Sequence, residues 1–114
     1  MDLKIKNKVC IITGGAKGIG YGIAKLWAME GGIPVVFSRS MPKEHDEELK
    51  NLCKSYEFYE IDLKNYEQIE ELIKKVVTKH GGIYALVNNA GANDNLHIEN
   101  TSTKDLIKSY ENNL

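Results

Sequence analysis

The run Val9-Cys10-Ile11-Ile12-Thr13 is apolar and β-branched and stops at Gly14-Gly15, the pattern of a strand buried on both faces entering a tight turn. From Ile19 the period lengthens. Ile23, Leu26 and Trp27 follow at spacings of four, seven and eight, predicting a helix face that ends at Gly31-Gly32. Residues 33–38 form a second apolar run, and beyond Met41-Pro42 the segment 44–54 places Leu49, Leu52 and Cys53 at helical spacing. In segment 56–61 aromatic residues are interleaved with glutamates, which predicts a third strand. Ile69, Leu72, Ile73, Val76 and Val77 then trace one helix face, with Asn65 and Gln68 as candidate caps and Gly81-Gly82 as its stop. A fourth strand over 83–87 leads into Asn88-Asn89-Ala90-Gly91. After a polar loop, Ser102 and Asp105 form a capping-box pattern before Leu106, Ile107, Tyr110 and Leu114.

Four strand-helix alternations imply right-handed crossovers, and so an α/β fold with a doubly wound parallel sheet and helices on both faces. The expected strand order is 3-2-1-4. A chain of 114 residues has room for one core and no visible interdomain linker.

Composition narrows the partners. Fifteen basic against sixteen acidic residues leave a net charge of -1, too little for the general attraction that nucleic-acid or anionic-membrane binding needs. No stretch reaches the roughly 20 apolar residues of a membrane span, and residues 1–8 lack a secretory signal. Two cysteines, Cys10 and Cys53, are too few for a disulfide framework, and Cys10 falls in a predicted buried strand. Both are expected to be reduced thiols in the cytoplasm. His45, His80 and His97 show no metal-ligand spacing, and the acid-rich stretch 44–48 reads as a solvated helix face.

Gly14, Gly18 and Gly20 lie between the first strand and the first helix, where a dinucleotide site needs a tight turn and close approach of backbone to pyrophosphate. A P-loop is excluded because Lys17 is followed by Gly18 rather than by Ser or Thr. The spacing Thr13-Gly14-x-x-x-Gly18-Ile19-Gly20, with Asn88-Asn89-Ala90-Gly91 after the fourth strand, resembles the short-chain dehydrogenase/reductase family over residues 9–114. The resemblance implies a Rossmann-type domain, of which residues 1–114 are expected to be the amino-terminal part, cut after the fourth strand and helix. It also implies hydride transfer between a nicotinamide and a carbonyl or alcohol of an unidentified small molecule. By the same resemblance Asp62-Leu63 contacts adenine and Asn89-Ala90-Gly91 lies beside the adenosine ribose. Asn113, 24 residues beyond Asn89, takes the place of the asparagine that holds a relay water.

NAD-preferring sites of this architecture place a carboxylate about 20 positions beyond the glycines, on the ribose 2′-hydroxyl. Here the strand end reads Phe37-Ser38-Arg39-Ser40. No acid would repel a 2′-phosphate, and Arg39 and Lys17 supply cations, so NADP is expected in preference to NAD. Solvated surface cations, or an Arg39 stacked on adenine, are the other readings of these two residues.

The family's serine and its tyrosine-lysine pair lie further along than Asn113, so the isolated chain is expected to be inactive. Tyr21 and Lys25 are four apart but sit beside the phosphate turn, as ordinary helix sequence. Cutting the fold here would leave an open strand edge and bare helix faces, which favours a homo-oligomer. Two alternatives stand beside the enzyme: a non-catalytic nucleotide-binding or interaction module with the same fold, and a methyltransferase, against which residues 88–91 argue.

Overall fold

The computed structural model describes residues 4–89. The elements run β1 (Val9–Thr13), α1 (Gly18–Met29), β2 (Ile33–Ser38), α2 (Lys43–Leu52), β3 (Glu57–Glu60), α3 (Tyr66–His80) and β4 (Ala85–Asn88). The four strands make one parallel sheet in the order β3-β2-β1-β4, as the alternation implied. The predicted helix after Ser102 lies outside the described residues.

Every residue of β1 is buried, because helices cover both faces of the sheet. The pleat sorts the side chains by parity. Val9 and Ile11 of β1 join Ile33, Val35 and Phe37 of β2 and Ile69, Ile73 and Val76 of α3 in one apolar layer. Cys10, Ile12 and Val36 pack on the other face with Ala24 of α1 and Leu49 of α2. Pro34 sits inside β2, where a missing N–H would ordinarily break a ladder. Ile33 N–H donates to Lys8 O at 2.8 Å, toward β1, so alternation turns the Pro34 nitrogen toward β3. Pairing with β3 begins one residue later, at Val35 and Glu57, and no hydrogen bond is lost.

Helix α3 follows its sequence signals closely. Asn65 Oδ1 accepts from Gln68 N–H at 3.1 Å, and Gly81 closes the helix in the left-handed conformation, its N–H on Val77 O at 2.8 Å. Helix α1 departs from expectation. Its buried positions are Gly20, Ala24 and Ala28, whereas Leu26 is 56% exposed and Ile19 77%; Ile23 and Trp27 only flank the core. Small residues every fourth position let the helix backbone lie close to β1 and β2, which rotates the larger side chains off the contact line. In α2 Leu49 is buried as predicted, but Leu52 is largely exposed and Cys53 packs on the core from just past the helix end. The acidic stretch of α2 is also more than a solvated face: Asp46 accepts from the Tyr56 hydroxyl at 2.8 Å, and Glu48 from that of Tyr21.

Glu57 ties edge strand β3 to the end of α3, accepting from Lys79 and, at 3.0 Å, from His80 Nε2. Burial pushes its carboxyl up, but hydrogen bonds and charge from Lys79 and His80 outweigh it and hold the group below the ordinary carboxylate range. A depressed folded-state pKa contributes stability above the unfolded value of about 4.3, lost as pH falls through the folded value. The wild-type chain should therefore lose more stability than Glu57→Gln between about pH 5 and pH 3. Urea midpoints across that window check this, and parallel curves for the two proteins would refute it.

Candidate functional site

The carboxyl ends of the four strands meet where the chain turns from β1 into α1. Thr13, itself buried, joins β1 to β4: its hydroxyl donates to Asn88 Oδ1 at 2.8 Å and accepts from Asn89 N–H at 3.1 Å. On the other side Gly14 N–H donates to Phe37 O at 2.8 Å, while Asn89 Nδ2 reaches Gly14 O at 3.5 Å. The first glycine of the turn is thus held from β2 and from β4 together.

Two other glycines in the turn answer to different demands. Gly18 has φ +56, which L side chains rarely adopt, and a Cβ there would meet nothing. Gly20 is fixed by crowding, since a Cβ on it would stand 2.5 Å from both Asn89 Nδ2 and Gly14 O. Its absence is what lets α1 start directly beneath the turn. No side chain caps this helix and no acid occupies its first turn, whereas α2 begins with Glu44 and Asp46 and α3 has Asn65 and Glu67. The first amides of α1 therefore keep their positive end of the helix dipole for an outside acceptor.

A groove of about 430 Å³ opens there, lined by Gly14, Lys17, Gly18, Ile19, Ser38, Arg39, Leu63 and Asn89. It carries two cations and no carboxylate, and among the described residues neither Lys17 nor Arg39 is engaged in an ion pair. Ile19, bare on the helix, has its place here as an apolar wall. These residues come from the ends of β1, β2, β3 and β4, and only the parallel sheet unites them.

Other residues singled out in the sequence stand apart from the groove lining. Thr13 and Gly20 support it from below. Asp62 turns its carboxylate to its own loop, Oδ1 accepting from Lys64 N–H at 3.0 Å, so here it closes the turn into α3. Ala90, Gly91 and Asn113 lie outside the described residues. Tyr21 and Lys25 are both engaged with Glu48, Lys25 at 3.4 Å, in keeping with their reading as ordinary helix sequence. Two contributors carry no site role in the sequence reading: Asn88, which belongs to the quoted asparagine motif, and His45. Asn88 receives the Thr13 hydroxyl, and its adjacency to Asn89 was the available signal. His45, set aside as a non-ligand, places Nδ1 2.7 Å from Ala16 O of the glycine turn, and nothing in its local sequence marks this.

Thiol and metal chemistry find no support in this region. Burial pushes the Cys10 thiol up to about 12, which keeps it protonated and inert. Among the described residues no group of three His, Cys, Asp or Glu side chains is placed to hold a metal ion, and no helix is long and apolar enough to cross a membrane.

Comparison with known proteins agrees with this geometry. The family model for short chain dehydrogenases matches residues 8–114. The 3-oxoacyl-(acyl-carrier-protein) reductase FabG of Thermotoga maritima is 38% identical over 93 residues, 78% of this chain and 37% of its own. The 3alpha-hydroxysteroid dehydrogenase of Mediterraneibacter gnavus is 31% identical over 119 aligned positions, covering 100% of this chain and 47% of its own length. The chain therefore spans less than half of either relative. Among solved structures, the crystal structure of the Cj0485 dehydrogenase superposes with a TM-score of 0.79 at 88% identity, covering 100% of this chain and 44% of that one. The 3-oxoacyl-(acyl-carrier protein) reductase of Brucella melitensis in complex with NAD gives 0.65 at 34%, covering 75% of this chain and 34% of that one. The L-sorbose reductase of Gluconobacter frateurii complexed with NADPH and L-sorbose gives 0.70 at 34%, covering 81% of this chain and 36% of that one. With its glycine turn, strand order and family match in agreement, the chain belongs to the short-chain dehydrogenase/reductase family.

Proposed function

We propose that the groove binds a nicotinamide dinucleotide, NADP in preference to NAD, and that the protein is an oxidoreductase acting on a small carbonyl or alcohol. The observation that carries this reading is the groove itself, which among the described residues has two cations outside any ion pair and no acid at the uncapped amino end of α1. The left-handed Gly18, with open space where a Cβ would stand, fits a pyrophosphate approaching the backbone, Gly20 lets α1 begin against the Gly14 turn, and relatives of this fold have been solved with NAD and with NADPH.

In this reading the first amides of α1 and the Gly14 turn receive the pyrophosphate. Arg39 and Lys17 bind the 2′-phosphate, with Ser38 beside them. Ile19 and Leu63 supply apolar walls, Leu63 together with Asp62 toward adenine. Asn89, Ala90 and Gly91 take the ribose side, Thr13 anchors Asn89, and Asn113 holds a relay water. The bound cofactor gives or accepts the hydride; the described residues bind and orient it. Tyr21 and Lys25 are both committed to Glu48, so this pair is not assigned the acid/base work of the reaction. Free cysteines suit the cytoplasm, and the exposed apolar Leu26 and Met29 of α1 suit self-association.

Dissociation constants measured by titration calorimetry test the assignment. NADPH should bind more tightly than NADH. Arg39→Ala should weaken NADPH by about tenfold or more, the scale of a charge-assisted hydrogen bond, with NADH changed little. Equal wild-type constants for the two cofactors would defeat the NADP assignment. Gly20→Ala should instead weaken both cofactors alike, by about tenfold, since overpacking at this scale costs about 1–3 kcal/mol. A Gly20→Ala protein that binds both as the wild type does would remove the close-approach argument.

A further inference from the structure

His45 belongs to the first turn of α2 and touches none of the groove, yet it is connected to it. Its Nδ1 lies 2.7 Å from Ala16 O, and because a carbonyl can only accept, Nδ1 carries the proton and donates. The ring is kept in plane by stacking on Tyr21, with centroids 3.8 Å apart and an angle of 6° between planes. Tyr21 in turn donates its hydroxyl to Glu48 of α2, which Lys25 pairs at 3.4 Å. Two side chains from α2 and two from α1 thus bracket the exposed part of the turn, at Ala16 just before groove-lining Lys17, Gly18 and Ile19 and at Tyr21 shortly after them.

The peptide between Ala16 and Lys17 is planar, so fixing the Ala16 carbonyl also fixes the direction of the Lys17 N–H and restricts where the Lys17 Cα and side chain go. The preceding residues are already held. Gly14 is bonded from β2 and β4, and at Gly15 an added Cβ would stand 3.0 Å from Ile12 and 3.2 Å from Val36. Ala16 is buried, but Lys17, Gly18 and Ile19 are exposed and line the groove. Among the described residues His45 supplies the side-chain hydrogen bond at the point where the held part of the turn becomes the exposed part.

We propose that His45 is a positioning residue for the cofactor turn, holding the Ala16–Lys17 peptide so that Lys17 and the first amide of α1 face the phosphate end of the dinucleotide. This rests on the cofactor reading above and adds to it a determinant from outside the groove. Arg39 comes from β2 and does not depend on this bond. His45 therefore acts on the share of 2′-phosphate binding that Lys17 provides, and NADPH affinity responds to it more than NADH affinity does.

Two substitutions separate the hydrogen bond from the stack. His45→Phe keeps a ring on Tyr21 and removes the donor; His45→Asn removes the ring and puts an amide N–H donor near the place of Nδ1. Each is titrated with NADPH and with NADH as the 114-residue chain, with thermal unfolding followed by circular dichroism. His45→Phe should raise the NADPH dissociation constant about fivefold, the scale of one neutral hydrogen bond, and change that of NADH by less. His45→Asn should restore NADPH binding to within about twofold of the wild type. The proposal fails if His45→Phe binds NADPH as the wild type does. It also fails if both variants weaken the two cofactors equally in step with a lowered unfolding midpoint, which marks a packing role only. A wild-type chain that unfolds cooperatively yet binds neither dinucleotide overturns the cofactor reading, and this proposal with it.

Discussion

The space where a Cβ of residue 20 would stand is already filled. Asn89 Nδ2 and Gly14 O both lie 2.5 Å from it, so α1 meets the ends of β1 and β4 at a distance only glycine permits. Much of the site follows from that contact. A helix starting so close to the sheet must keep small residues along its inner line, hence Ala24 and Ala28, and must turn Ile19 outward. Its uncapped amides open beside the ends of β2 and β3, where Ser38, Arg39 and Leu63 line the same groove. Thr13 locks the arrangement from the strand side, joining β1 to Asn88 at the end of β4 and to Asn89 just after it.

The parts of this fold legible in the sequence are those where one physical demand dominates. A strand covered on both faces must be apolar throughout, and β1 and β2 begin and end where their apolar runs do. A helix with a wide inner face and polar ends shows its period and caps, so Asn65, Gln68 and Gly81 mark α3. Where two demands compete, the pattern misleads. In α1 the largest apolar residues suggested the inner face, but the close approach at Gly20 selected the smallest ones. In β4 the apolar run starts at Ile83, while regular pairing starts at Ala85, since ladder geometry rather than hydrophobicity sets that boundary.

The groove was legible for a different reason. Gly14, Lys17, Gly18 and Ile19 are consecutive or nearly so, and Ser38-Arg39, Leu63 and Asn89 each sit at or within three residues of the end of a strand that parallel pairing brings alongside. What stayed hidden depends on helix packing. His45 is spaced like any helix residue, and only the docking of α2 on α1 puts its ring on Tyr21 and its nitrogen on Ala16 O. Asp62 shows the converse, a strand-end carboxylate whose nearest partner is its own loop amide.

Pro34 bears on which sheet can form at all. With Ile33 N–H given to Lys8 O, the ring nitrogen of Pro34 is directed at β3 and offers it nothing, so pairing can begin no earlier than Val35 and Glu57. Sliding β3 one residue along β2 would exchange the faces of Phe58 and Tyr59, which pack on opposite sides of the sheet. The proline marks where the β2–β3 ladder starts, the same ladder that at its other end delivers the chain toward Leu63 and the groove.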